Sequence, residues 1–288
     1  MTTQSITSGQ QKQVKRFAED AVDRAIAEGL LDKDGIQKLI ENGDEFQADI
    51  TVSIKKHSLS NQFADEEVKS SYGYLSGYKP KGITEQTNIL RQLFPGAGFA
   101  DEKLAQQPLP PNAEGWFAIP RWQSVAKTYN EAVQKVLDLI KKQRDGNFYN
   151  HREGRIGEQY LRQHERTAKK LQMLGNQQTG FDILVVASQF GLRHRGRSVR
   201  RAREVFTGNE FGLGAFKIGC MILTHPERLQ HYDDPWIDCA GDEYAPAADG
   251  DFSRAPCFSF SGGEVRFGTD WVGSASAHYG SASGFLQQ

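Results

Sequence analysis

The segment "GLRHRGRSVRRAREVF" (residues 191–206) carries six arginines and one histidine between Arg193 and Arg203, with no acid among them. Guanidinium groups are planar forks that match phosphate oxygens in pairs. Arg193, Arg195, Arg197, Arg200, Arg201 and Arg203, together with Ser198, therefore form a candidate anion site. Ser198 suits the N-cap of a helix over 199–206. A helix N-terminus offers free N–H groups and the positive end of a dipole to an anion. Cations at that end oppose the dipole, and Arg200 with Glu204 is the weaker orientation of an i,i+4 pair, so a negative counterpart is expected. "GLRHRG" is neither G-x-x-x-x-G-K-[ST] nor G-x-G-x-x-G, which argues against a mononucleotide or dinucleotide loop. A helix expected over 157–174 adds Arg162 and Arg166, with Lys169 and Lys170, to the same surface. Trp116, Trp122 and Tyr160 can stack on bases, but each falls in the apolar pattern of a core.

A second stretch, "LTHPERLQHYDDPWIDCAGDEY" (223–244), gathers His225, His231, Asp233, Asp234, Asp238, Cys239, Asp242 and Glu243. Asp238 and Asp242 are candidate ligands for a divalent metal such as Mg²⁺, and His225, Asp238 and Glu243 are candidate catalytic groups. Paired with the arginines, they describe a metal-assisted phosphodiesterase or nuclease. Each also has a plainer account: "HPER" starts a helix with Thr224 capping and Pro226 in its first position, and "DDP" makes a turn. Cys239 lacks a basic neighbour and is expected to be an inert thiol. Neither G-x-S-x-G nor H-E-x-x-H occurs.

The charge asymmetry frames both stretches. Over 288 residues the net charge is −1, yet residues 141–230 carry 17 basic and 8 acidic side chains, while residues 231–288 carry 2 and 9. The middle either binds a polyanion or docks on the acidic C-terminal region. Three cysteines without C-x-x-C spacing fit reduced thiols in a cytosolic protein better than a disulfide framework. The start lacks the apolar core of a secretory signal. The longest apolar helical stretch, 211–223, has 13 residues and contains Lys217, short of the roughly 20 that span a bilayer. A soluble protein without membrane association is expected.

Several elements must position these residues. Residues 1–12 are expected to be disordered, and 13–94 to hold helices around 14–31, 34–43 and 84–94. "ADITVSI" (48–54) alternates like a half-buried strand. The Pro/Gly-rich stretch 95–115 is a linker or a loop. A main domain over 116–272 contains strands at 116–120, 181–189 and 236–240, helices at 122–142 and 157–174, and a hairpin at 257–267. "FDILVVASQ" (181–189) reads as a central strand, and Asn209 as the cap of a glycine-bearing helix. The Gly/Ser-rich 273–288 reads as tail. The fold class is α/β or α+β, a mixed β-sheet flanked by helices, with a helical N-terminal extension and a C-terminal β-hairpin.

The motifs "GWFAIPRW", "YLRQHERT", "RHRGRSVRRARE", "NEFGLGAF", "LTHPERL" and "WIDCAGDEY" resemble a family of uncharacterised bacterial proteins, from about residue 45 onward. That likeness implies no catalytic residue, cofactor or fold. Three functions follow from the residues themselves. The first is a binding protein for a phosphate-bearing partner, RNA or DNA foremost; the second is the metal-assisted enzyme. In the third, an interaction protein, the arginines pair with the acidic C-terminal region.

Overall fold

A computed structural model describes residues 7–58 and 62–287. The chain divides into two compact units, Met1–Leu59 and Ser60–Gln288. The first holds three helices. Thr7 caps α1 (Ser8–Ala27) and forms a capping box with Gln10, which satisfies two orphan N–H donors. Residues 8–12 of the expected disordered start are thus helical, and residues 1–6 lie outside the described residues. Asp32 caps α2 (Lys33–Glu41), accepting from the Gly35 N–H at 2.7 Å. The expected strand over 48–54 is instead part of helix α3 (Gly43–Ser58). Its alternation was a short-window coincidence, since Phe46, Ile50 and Ile54 recur every four residues, and Asp44 and Glu45 complement the dipole in the first turn.

The second unit begins with an irregular strap, residues 62–82, followed by α4 (Ile83–Leu93). Residues 95–115 stay within this unit as a loop, tied down by the Gly98 N–H to Asp182 and by Trp116 Nε1–H to the Gln107 carbonyl. Then come β1 (Gly115–Pro120), α5 (Trp122–Val125) and α6 (Tyr129–Gln143). The single helix expected over 122–142 breaks because the Thr128 side chain caps a new helix, accepting from the Glu131 N–H at 3.2 Å. The helix expected over 157–174 is also divided. After β2 (Phe148–Asn150), residues Leu161–Gln163 form strand β3, and α7 (Glu165–Gln177) starts only behind the cap His164.

β4 (Ile183–Gln189) is fully buried and central, as its continuous β-branched run predicts. It is followed by α8 (Val199–Val205), β5 (Glu210–Gly212) and α9 (Ala215–Thr224). Asn209 does not cap α9, because β5 intervenes. Pro226 sits in a 3₁₀ turn, Pro226–Arg228, that has no side-chain cap, and Thr224 closes α9 instead. The remaining strands are β6 (Trp236–Asp238), β7 (Asp242–Tyr244), the hairpin β8 (Arg254–Ser261) with β9 (Glu264–Trp271), β10 (Tyr279–Ser281) and β11 (Ser283–Phe285). The expected Gly/Ser tail therefore forms two strands. Small residues fit there because the neighbours crowd: a Cβ on Gly284 would press on Phe211 at 2.9 Å.

The architecture is α+β, with one antiparallel sheet, one mixed sheet and a C-terminal strand pair. One sheet is antiparallel in the order β1-β4-β11-β5. The other runs β10-β6-β8-β7-β3, with β9 pairing both β8 and β2. Its β10–β6 and β2–β9 contacts are parallel. All ten residues of α9 are buried. Gly219 lets it cross α6 closely, since a Cβ there would collide with Val136. Among the described residues no helix is long and apolar enough to cross a membrane.

Candidate anion site

The predicted arginine block leaves β4 through a 3₁₀ turn, Leu192–His194, and enters α8 at Ser198. Ser198 Oγ accepts from the Arg201 N–H at 3.1 Å and donates to Glu66 at 2.6 Å. The guanidinium groups find their counterparts inside the chain. Arg200 grips both Glu66 oxygens through Nε at 2.7 and 2.8 Å. Arg197 and Arg201 reach Glu67 at 3.2 and 2.5 Å, and Arg201 also meets Glu204 at 2.8 Å. Arg193 donates to Glu210 at 3.0 and 3.2 Å. Arg195 donates to the Tyr72 carbonyl, and Arg203 to those of Ala240 and Asp242. Arg166 is spent on the carbonyls of Arg203, Phe206, Thr207 and Glu210. Lys170 donates to the Gly208 carbonyl, and Lys169 pairs with Glu165.

The anion that answers these cations is mainly the strap, not the acidic C-terminal region, which contributes Glu243 to Arg162 at 2.8 Å and carbonyls to Arg203. Backbone bonds seat the strap as well: the Val68 N–H to the Gly196 carbonyl, and the Ser198 N–H to the Glu66 carbonyl. Gly196 has φ +79°, and a Cβ there would strike the Val68 carbonyl, so only glycine admits the strap. The hydrogen bond from Arg200 holds Glu66 below the usual carboxylate range. Burial pushes Glu67 up, but Arg201 and Arg197 outweigh it.

Deeper in, Glu210 is a hub that accepts from Arg193, from His194 Nε2 at 2.7 Å and from Ser283 Oγ at 2.7 Å. Burial would raise its pKa, but hydrogen bonds from His194 and Ser283 and the Arg193 charge bring it down to about 2. The carboxylate lies between Ser283 and His194. The imidazole is therefore not placed to take the serine proton as a nucleophile's base.

His225, Asp242 and Glu243, among the candidate catalytic and metal residues, are held by separate partners. His225 is buried, accepts from the Lys81 N–H at Nε2 (2.9 Å), and turns Nδ1 to the Met221 carbonyl and Thr224. Burial pushes it down to about 4, so it is neutral and both nitrogens are engaged. Asp242 accepts from the Tyr129 hydroxyl at 2.7 and 2.8 Å and from the Ala215 N–H at 2.7 Å. It thus caps α9, whose own cap residue, Gly214, has no side chain to do so. Burial raises Asp242 to about 6 and lowers Lys217, buried beside it, to about 8. Asp238 is raised to about 8 by burial and then by the Asp270 charge. Glu243 belongs to Arg162. Among the described residues no three His, Cys, Asp or Glu side chains gather as a metal-ligand set.

Three arginines outside the block are different. Arg152 and Arg155 lie in the turn after β2, and Arg254 opens β8 in register with Tyr244. Among the described residues none of the three forms an ion pair with a carboxylate, and their guanidinium nitrogens make no hydrogen bond to the protein. Arg152 and Arg254 flank Tyr244, which is 1% exposed, and the charge of Arg155 also acts on it. Burial raises the pKa of its hydroxyl, and the charges of Arg152, Arg155 and Arg254 all work the other way. The Arg152 guanidinium carbon lies 5.4 Å from the Tyr244 ring centroid, and Tyr160 stacks on that ring at 6.3 Å. Arg254 lies over the Trp271 ring at 4.7 Å. The Tyr244 hydroxyl, Nε of Arg152 and of Arg254, and Gln163 Nε2 are buried without a hydrogen-bond partner. Register places Leu161 opposite Tyr244, so Gln163, two residues along β3, shares its face of the sheet.

Sequence reasoning missed this cluster. Its only local signal is the pair of arginines around the turn in "NHREGR" (150–155); Arg254 joins them solely through β7–β8 pairing. The fold and the cluster together define an α+β protein in which arginines without carboxylate partners gather around a buried tyrosine. No family model, no curated protein and no solved structure matches the chain.

Proposed function

We propose that this protein binds a phosphate-bearing partner, an RNA or DNA backbone foremost, at Arg152, Arg155, Arg254 and Tyr244. The observation that carries this reading is the gathering of carboxylate-free Arg152 and Arg254, with Arg155 nearby, around buried Tyr244, whose hydroxyl has no hydrogen-bond partner. Buried donors without acceptors are costly, about 1–3 kcal/mol each and more when charged, and a phosphate has enough oxygens to meet several together. Trp271, half-exposed and packed on Arg254, provides a ring face on which a base stacks while its phosphate enters the cradle. The block at Arg193–Arg203 braces the strap and is not the contact surface. Three buried free thiols, Cys220, Cys239 and Cys257, suit a reducing cytosolic setting.

Fluorescence anisotropy with labelled single-stranded and duplex oligonucleotides, titrated against salt, tests the reading. Arg152→Ala/Arg254→Ala weakens binding for every sequence. It also lowers the salt slope by about 0.7 per lost contact on single strands and about 0.9 on duplex. Arg195→Ala changes neither. Binding that is absent at low ionic strength, or unchanged in the double variant, defeats the proposal.

A further inference from the structure

The surroundings of Tyr244 offer more donors than the arginines. Arg152 Nε, Arg254 Nε, Gln163 Nε2, the Tyr244 hydroxyl and Thr269 Oγ1 are each buried without a hydrogen-bond partner among the described residues. Sheet register puts four of these residues on one face. Tyr244 pairs with Arg254 and with Leu161, and Arg254 pairs with Trp271. Gln163 lies two residues from Leu161, and Thr269 two residues from Trp271, so both side chains share the face of that row. Arg152 reaches the same tyrosine, its guanidinium carbon 5.4 Å from the ring centroid. Asp242, the acid opposite Gln163, is already taken by the Tyr129 hydroxyl and the Ala215 N–H.

Charge and shape select among phosphates. Arg152 and Arg254 bring two positive charges to this face, and no carboxylate among the described residues pairs with either. A phosphodiester inside a strand has a single negative charge, and the strand leaves it on both sides. A phosphate monoester carries about −1.5 to −2 at pH 7, has three free oxygens, and is left by one chain only. It therefore balances both guanidinium groups, whereas a diester leaves one charge uncompensated in a desolvated setting, which is costly. Its free side also suits donors that are shut off from water. Resting on the phosphate-binding reading of this site, we infer that the site takes the terminal phosphate monoester of an RNA or DNA strand. Arg152 and Arg254 neutralise it, and the Tyr244 and Thr269 hydroxyls donate to its oxygens.

Anisotropy at fixed ionic strength provides the test, with one internally labelled sequence carrying a 5′-phosphate, a 3′-phosphate or hydroxyls at both ends. At least one phosphorylated strand should bind about tenfold tighter than the unmodified strand, the effect of one charge-assisted hydrogen bond. Tyr244→Phe/Thr269→Val removes two hydroxyls and keeps the packing, and should bring that ratio down to about twofold, with circular dichroism confirming the fold. Thr269→Val alone should lower the ratio by a smaller step. Equal affinity for all three strands, or a preference that neither variant moves, overturns this inference. If Arg152→Ala/Arg254→Ala still weakens binding in that case, the backbone reading stands. No binding by any of the three strands defeats both.

Discussion

Replacing Glu210 with glutamine keeps the shape of the side chain but removes the charge that Arg193, His194 and Ser283 surround. Moving a carboxyl from 4.5 to about 2 corresponds to about 3 kcal/mol of stability. His194 is pushed below its usual value, by burial first, so at neutral pH it donates as an uncharged ring and Arg193 supplies the charge. The lower part of the range, roughly 2–3 kcal/mol, is therefore expected. Because the folded pKa is depressed, the stabilisation is fully present above pH 4.5 and is lost as pH falls toward 2. Urea unfolding of wild type and Glu210→Gln, in steps from pH 7 downward, measures it. The gap in unfolding free energy should hold at pH 6–7 and narrow below pH 4.5. A gap under about 1 kcal/mol at pH 7, or one that stays constant down to pH 3, would refute the assignment of Glu210 as the charged hub.

Glu66→Gln/Glu67→Gln should loosen the strap at a cost of only about 1 kcal/mol per half-exposed pair. It should also give the arginine block an affinity for polyanions that the wild type lacks there, seen as a steeper salt dependence of oligonucleotide binding and faster proteolysis within residues 62–82. Gly219→Ala places a methyl against Val136 and should cost about 1–3 kcal/mol. Calorimetry should then show a drop in Tm of several degrees, and an unchanged Tm would contradict the close helix crossing. Lys217, lowered by burial from 10.5 to about 8, makes the unfolded chain bind more protons between those values, so stability should rise with pH across that interval. Lys217→Met should abolish the rise in urea titrations at pH 8 and pH 10, and a rise retained in the variant would place its source elsewhere.

Local signals in the sequence were reliable where the physics is local. The Ser198 cap holds, the strand expected over 181–189 forms from Ile183 to Gln189, and the hairpin expected over 257–267 forms and extends from Arg254 to Trp271, because each depends on neighbours within a few residues. The demand for a negative counterpart to the arginines was equally legible, since clustered cations at a helix start are unfavourable in any fold. Which carboxylates answer it was not. Glu66 and Glu67 lie about 130 residues earlier in the chain, and only the strap's path brings them there. The wrong expectations have the same origin. Residues 161–163 follow a helical pattern but gain a ladder with β7, and the Gly/Ser segment that looks like tail is inserted between crowded strands because its side chains are small.

By itself, then, the sequence determined composition, caps, periodicity and the need for charge balance. The tertiary structure alone decided which arginines are satisfied and which remain open. Pairing β7 with β8 and bringing the β2 turn over them assembles Arg152, Arg155, Arg254 and Tyr244 from three separated segments. A charge's partner depends on distance in space, and in a long chain that distance is settled by sheet register rather than by position along the backbone.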